Sequence, residues 1–255
     1  MLKLTVLVLA ILGSAFSLPA SNTSNVDVRI IGGSDTSISQ HPYQLALYSN
    51  RRFICGAVLI AHNWAITTAH CADGWQISGL TVRAGSTTVS SGGQVASVRN
   101  VIFHQEYNRR TLDYNFALLH LAGSVAVASA APVRLADEYR DVRPGEWVNI
   151  TGWGRVSVTN EYPEILQVAL VPVVNMYECL IAYPGYILTD TMFCGGLLGI
   201  DGKDASHGDR GGPVSFRGEL LGLISWALNH GSPVLPDVYA SIPSVRGWIR
   251  SVTGI

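Results

Sequence analysis

The chain has 255 residues, of which 48% are hydrophobic and 14% charged, with 17 Lys and Arg against 18 Asp and Glu for a formal net charge of -1. That balance supports a compact domain with a sizeable core. It excludes a disordered or fibrous chain, and it offers no basic excess for nucleic acid or an anionic membrane.

The N-terminus reads as an export signal. Lys3 supplies the positive start, Leu4 to Leu12 is an apolar run too short to span a bilayer, and Ala15-Phe16-Ser17 gives a small-residue cleavage spacing. A signal peptide over 1–17, cleaved after Ser17, predicts a secreted, extracellular protein. No later apolar run has transmembrane length. Cys55, Cys71, Cys179 and Cys194 fit an oxidising route and two disulfides; sequence alone leaves all three pairings open. Their spacing matches no metal cluster, and neither a metal nor a cofactor is expected. Asn22-Thr23-Ser24 and Asn149-Ile150-Thr151 are glycosylation sequons, the second inside a strand-like run.

Taken in chain order, the elements are almost all strands. Apolar or alternating runs cover Tyr43 to Tyr48, Ala57 to Ile60, Leu80 to Ala84, Val95 to Ile102 and Phe116 to Leu121. They continue over Trp147 to Thr151, Ile165 to Val174 and Leu220 to Trp226, many separated by Gly, Asn, Ser or Pro. Short strands at this spacing predict an all-β sandwich or barrels. The tail changes period. Val245, Trp248, Ile249 and Val252 form one stripe and Pro243 suits a first turn, so one helix is expected over 243–252.

A set of strings runs through this pattern: Arg29-Ile30-Ile31-Gly32-Gly33, Thr67-Thr68-Ala69-His70-Cys71, Gly152-Trp153-Gly154, Met192-Phe193-Cys194-Gly195, Gly208-Asp209-Arg210-Gly211-Gly212-Pro213 and Ser225-Trp226. In order and spacing they resemble the trypsin/chymotrypsin family of serine proteases. The resemblance implies two antiparallel six-stranded β-barrels, at about 30–135 and 136–240, a cleft between them and the C-terminal helix. It also implies the pairings Cys55–Cys71 and Cys179–Cys194, a propeptide over 18–29, and cleavage after Arg29 by a trypsin-like protease. The new Ile30 amine would then pair with Asp209.

Acyl transfer by this family needs a hydroxyl, a base, and a carboxylate that orients the base. His70 fills the base position. The carboxylate position, directly before Phe116-Ala117-Leu118-Leu119, holds Asn115, and the nucleophile position holds Arg210. A guanidinium has no lone pair with which to attack a carbonyl. Asp113 could replace the carboxylate only through a register shift that breaks the apolar alignment. Ser206 is the nearest substitute hydroxyl, off the turn that presents the nucleophile. The backbone N–H groups of Gly208 and Arg210 could still form an oxyanion hole.

The pocket departs from the family too. Its base is the retained Asp204, which implies a preference for Lys or Arg. Two wall positions expected to be glycine hold Ala227 and Asp237, and the positions of a third disulfide hold Ser206 and His230. Arg210 either folds into the pocket and neutralises a carboxylate there or points to solvent, and the sequence does not choose between them. The other histidines, His41, His62, His104, His120 and His207, read as surface or loop residues. The resemblance implies a proteolytically inactive homologue that binds proteases, protease inhibitors or defence proteins, with an active trypsin-like endopeptidase as the alternative.

Overall fold

The computed structural model describes residues 33–155, 162–197, 208–228 and 234–255. The first half contains β1 (Ser34–Asp35), β2 (Gln44–Ser49), β3 (Arg52–Ala61), β4 (Trp64–Thr67), α1 (Ala69–Ala72), β5 (Leu80–Ala84), β6 (Gln94–Phe103) and β7 (Ala117–Leu121). The second contains β8 (Arg134–Leu135), β9 (Trp147–Gly152), β10 (Gln167–Val174), α2 (Met176–Ala182), β11 (Met192–Gly195), β12 (Pro213–Phe216), β13 (Glu219–Trp226), β14 (Asp237–Ser241) and α3 (Ile242–Thr253).

Strands β2-β3-β4-β7-β6-β5 close into one barrel. Strands β9, β10, β11, β14, β13 and β12 close into a second, because β9 pairs both β10 and β12. The fold is therefore two six-stranded antiparallel barrels followed by a helix. Closure leaves no open sheet edge in either ring. Two short strands attach to the second barrel from outside its ring: β8 pairs β13 in parallel, and β1 pairs β10.

The first barrel is filled from alternate positions, as in Leu80, Val82 and Ala84 of β5. Its core includes the disulfide between Cys55 and Cys71. The second core holds Val148, Ile150, Val171, Leu221 and Tyr239. Cys179 of α2 is bonded to Cys194 of β11, which ties the helix to its barrel. Helix α3 runs one residue beyond the expected span at each end. Val245 and Ile249 are buried, Trp248 and Val252 partly, and Gly254 closes the helix at φ 77° with its N–H on the Arg250 carbonyl.

Two histidines read as surface or loop residues lie in loops but are buried. His104 stacks on Tyr114 at 4.5 Å and meets the edge of Trp248 at 4.8 Å, so α3 covers it. His41 lies 7% exposed against Tyr43. Asn149 sits within β9, opposite Leu170 on one side and Ser215 on the other, and the Thr151 hydroxyl of its sequon is buried on Gln44. Asn22 and the expected signal peptide and propeptide lie outside the described residues.

Candidate active site

His70 is presented by a single helical turn, α1. The turn is held from both ends: Cys71 is bonded to Cys55 of β3, and the Thr67 hydroxyl donates to the Gly56 carbonyl at 2.8 Å. Asn115, 1% exposed, arrives on the segment before β7. The preceding loop places Leu112 and Tyr114 at positive φ, an uncommon state for such residues. It is clipped to the second barrel by Asp113, whose carboxylate accepts the hydroxyls of Thr189 and Thr191 at 2.6 Å each. Asp113 is thus turned toward the second barrel and does not serve His70.

The direction of the Asn115 amide is decided by its neighbours. The His70 backbone N–H, which can only donate, contacts Oδ1 at 3.1 Å. Nδ2 is then left to face Ser225 Oγ at 2.8 Å and His70 Nδ1 at 2.9 Å. Oδ1 also lies 3.3 Å from Nδ1, and the shorter Nδ2 contact favours Nδ1 as the acceptor, with the ring proton on Nε2. This is the tautomer opposite to the one a general base needs, because Nε2 is the atom that would take the nucleophile's proton.

Arg210 stands on the turn between the barrels. Its carbonyl accepts the Gly56 N–H at 2.8 Å, Gly211 adopts φ 78°, and the Gly212 N–H bonds the Asp209 carbonyl. Gly56 and Gly212 approach so closely that a Cβ on Gly56 would lie 2.7 Å from the Gly212 Cα. Asp209 is fully buried, and its carboxylate accepts the Gly154 N–H at 2.7 Å. A Cβ on Gly152 or Gly154 would fall within 2.1 or 2.3 Å of that carboxylate, which explains why the Gly-Trp-Gly string carries glycine at both ends. Gly208 sits at φ 102°, against the Gly154 backbone.

These groups border a cleft of about 330 Å³ whose wall includes Arg52, Phe53, His70, Trp75, Tyr162 and Arg210. Of the pocket positions, Asp237 is 1% exposed at the start of β14, and Ala227 is half-buried just past β13. Asp204, Ser206, His207 and His230 lie outside the described residues, as do Arg29 and Ile30. Sequence reasoning passed over Ser225 as the partner of Asn115, and over Arg52, Trp75 and Tyr162 on the cleft wall. Ser225 stands in a string that marks the family without marking its chemistry, and Arg52, Trp75 and Tyr162 stand in none of the strings. The sulfurs of Cys55 and Cys71 approach His70 but are joined to each other, so they offer no thiolate to a metal.

Burial disfavours the Arg210 charge and lowers its pKa, while Asp237 attracts the guanidinium and opposes the shift. No ion pair joins Arg210 to a carboxylate among the described residues. Asp237 therefore acts on Arg210 from beyond contact distance. His70 is lowered to about 4, first by burial and then by the positive charge of Arg210, against smaller opposing effects of Asn115 and Asp73. Its unfolded value is near 6.5, so the native state binds this proton more weakly. The stabilisation from keeping His70 neutral is complete above pH 6.5 and is lost as pH falls toward 4. His41 and His104, lowered mainly by burial, act in the same direction. In a histidine NMR titration, His70 is expected to stay neutral to near pH 4, with its midpoint rising in Arg210→Gln. A midpoint at 6.5 in the unaltered chain would contradict this electrostatic picture.

The family model described as Trypsin matches residues 30–249. A trypsin of Phaedon cochleariae is 35% identical over 254 residues, covering 98% of each chain. Trypsin 5G1 of Aedes aegypti is 37% identical over 230 residues, covering 89% of this chain and 86% of its own. Among solved structures, neuropsin, a serine protease expressed in the limbic system of mouse brain, superimposes with a TM-score of 0.79 at 32% identity, covering 87% of this chain and 98% of its own.

Proposed function

Because the chain belongs to the trypsin family, we propose that it is a secreted member that binds protein ligands through the family's cleft without cleaving them. The observation that carries this reading is Arg210 at the apex of the Gly208–Gly212 turn, where the family resemblance places the attacking hydroxyl. The Asn115 geometry supports it independently, since the shorter of its two contacts with His70 Nδ1 favours a ring proton on Nε2, where a general base must accept one. Loss of a nucleophile costs such an enzyme about 10⁶-fold and an orienting Asp-to-Asn change about 10⁴-fold. The two losses do not add, and either alone removes useful turnover.

A binding role leaves the scaffold intact. Two closed barrels, two disulfides and the buried Asp209 turn hold the cleft open without any chemistry. Export follows from the N-terminal signal, and no helix among the described residues is long and apolar enough to cross a membrane. Proteases, protease inhibitors and defence proteins are the partner classes that fit a protease-shaped cleft. Arg29, Ile30 and Asp209 preserve the residues of propeptide activation by a trypsin-like protease, so cleavage would still order the cleft.

The names of the relatives favour a second reading, an active trypsin-like endopeptidase. That reading requires an unconventional nucleophile such as Ser206. The two separate in one assay: the chain, cleaved after Arg29, is offered Arg- and Lys-amide substrates. No release above a heat-treated control is expected. Turnover that survives repurification and a trypsin-inhibitor control would overturn the binding reading.

A further inference from the structure

The geometry points to the cleft between His70 and Arg210 as a carboxylate-binding site, whose ligand is a peptide carrying that group at its chain end or on an Asp or Glu side chain. The inference rests on the binding reading above and names the chemistry that is bound.

A protease cleft needs both kinds of hydrogen-bonding group: donors for the carbonyl oxygen, and acceptors that activate the nucleophile. Here Asn115 and Arg210 stand at the positions where the resemblance places the carboxylate and the hydroxyl. The shorter Asn115 contact on His70 Nδ1 is made by the amide NH₂, which favours a hydrogen on Nε2. Arg210 adds a guanidinium, which only donates. The backbone N–H groups of Gly208 and Arg210 lie on the same turn, held where the Arg210 carbonyl is tied to Gly56. Arg52 contributes a second cation to the wall. No Asp or Glu lines the cleft among the described residues. Two cationic side chains with no carboxylate beside them among the described residues complement an acceptor-only, negatively charged group, and carboxylate is the peptide group of that kind.

Arg210 is also under-satisfied. Its Nε is buried with no hydrogen-bond partner among the described residues, and Asp237 acts on it only from a distance. A buried donor of this kind is costly until an acceptor reaches it, and an acceptor that carries charge relieves both deficits together. The aromatic rings of Phe53, Trp75 and Tyr162 complete the wall and suit the side chains flanking such a group. About 330 Å³ is near the low end for a ligand site, room for one or two residues rather than a folded loop.

The test uses the full chain cleaved after Arg29 and three probes: N-acetyl-tetra-alanine as the free acid, its carboxamide, and an acetylated, amidated tetrapeptide ending in Glu. Binding is read from NMR shifts of the Arg210 Nε–H and the Trp75 indole N–H. At least one carboxylate probe is expected to bind tenfold or more tighter than the carboxamide, and the tighter of the two tells chain end from side chain. The preference is expected to vanish in Arg210→Gln, survive in part in Arg210→Lys, and shrink as salt is raised. Equal affinity of all three probes would overturn the site. So would a preference that persists in Arg210→Gln with an unchanged thermal midpoint. Mass spectrometry of the recovered peptides reports separately on turnover: a shortened probe counts against the binding reading, while the acid-to-amide ratio still decides the carboxylate site.

Discussion

Changing Arg210 to Ser together with Asn115 to Asp is expected to raise amide hydrolysis by at least about 10³-fold over the unaltered chain, while Arg210→Ser alone recovers little. Ser at 210 restores an attacking oxygen on a turn whose backbone is already held by Gly56 and Gly212. Its proton must go to His70 Nε2, which carries a hydrogen for as long as the Asn115 amide donates to Nδ1. Asp at 115 reverses that bond. A carboxylate accepts from Nδ1–H, from the His70 backbone N–H and from the Ser225 hydroxyl, so all three present neighbours suit it. Removing the Arg210 charge also relieves one of the two causes that hold His70 near 4. Kinetics on an Arg-amide substrate across the single and double variants checks this. Full activity in Arg210→Ser alone would show that Asn115 does not set the tautomer.

The largest effect on stability is expected at Gly211. Gly211→Ala forces a side chain into φ 78°, where its Cβ would lie 2.1 Å from Thr67 Oγ1 and 2.5 Å from the Gly56 carbonyl oxygen. Both contacts belong to the clasp that joins the first barrel to the turn carrying Arg210. A left-handed non-glycine residue costs about 1–2 kcal/mol, and overpacking a closed core about 1–3 kcal/mol more. The expected loss is therefore about 3 kcal/mol, read as a lower midpoint in urea unfolding. Gly218→Ala is the control. It also has positive φ, at 81°, but meets nothing within 4 Å, so only the backbone cost applies. If both variants unfold at the same midpoint, the close approach of the barrels contributes nothing.

Most of the longer strands were legible because they show their period, although β3 was expected only over its last residues, Ala57 to Ile60. β5 is Leu80–Ala84 in both readings, and the expected runs over β6, β9 and β13 are off by a residue or two at the ends. The short strands β4, β11, β12 and β14 were not read as strands. Each has four or five residues, nearly all buried, and a run that short has no alternation to detect. Helix α2 was missed for a different reason. Tyr177, Leu180 and Ile181 face solvent, so no inward stripe marks it, although Asn175 caps its first turn through the Tyr177 N–H.

At the site, linear strings were enough to locate His70, Asn115 and Arg210. They could not show what those residues do to each other. The amide direction of Asn115 depends on a backbone N–H 45 residues away and a hydroxyl 110 residues away. Asp113 looked like a spare carboxylate two positions from Asn115, and only the folded chain reveals that Thr189 and Thr191 hold it elsewhere. The burial of His41 and His104 likewise comes from Tyr43 and from α3, which no local pattern announces.

The most direct measurement is covalent. The chain is cleaved after Arg29, exposed to an excess of a serine-directed fluorophosphonate, and weighed intact. The account predicts an unchanged mass under conditions that label an active trypsin to completion, because no activated hydroxyl stands in the cleft among the described residues. A stoichiometric phosphonyl adduct mapped by peptide sequencing to a serine of this chain would contradict it.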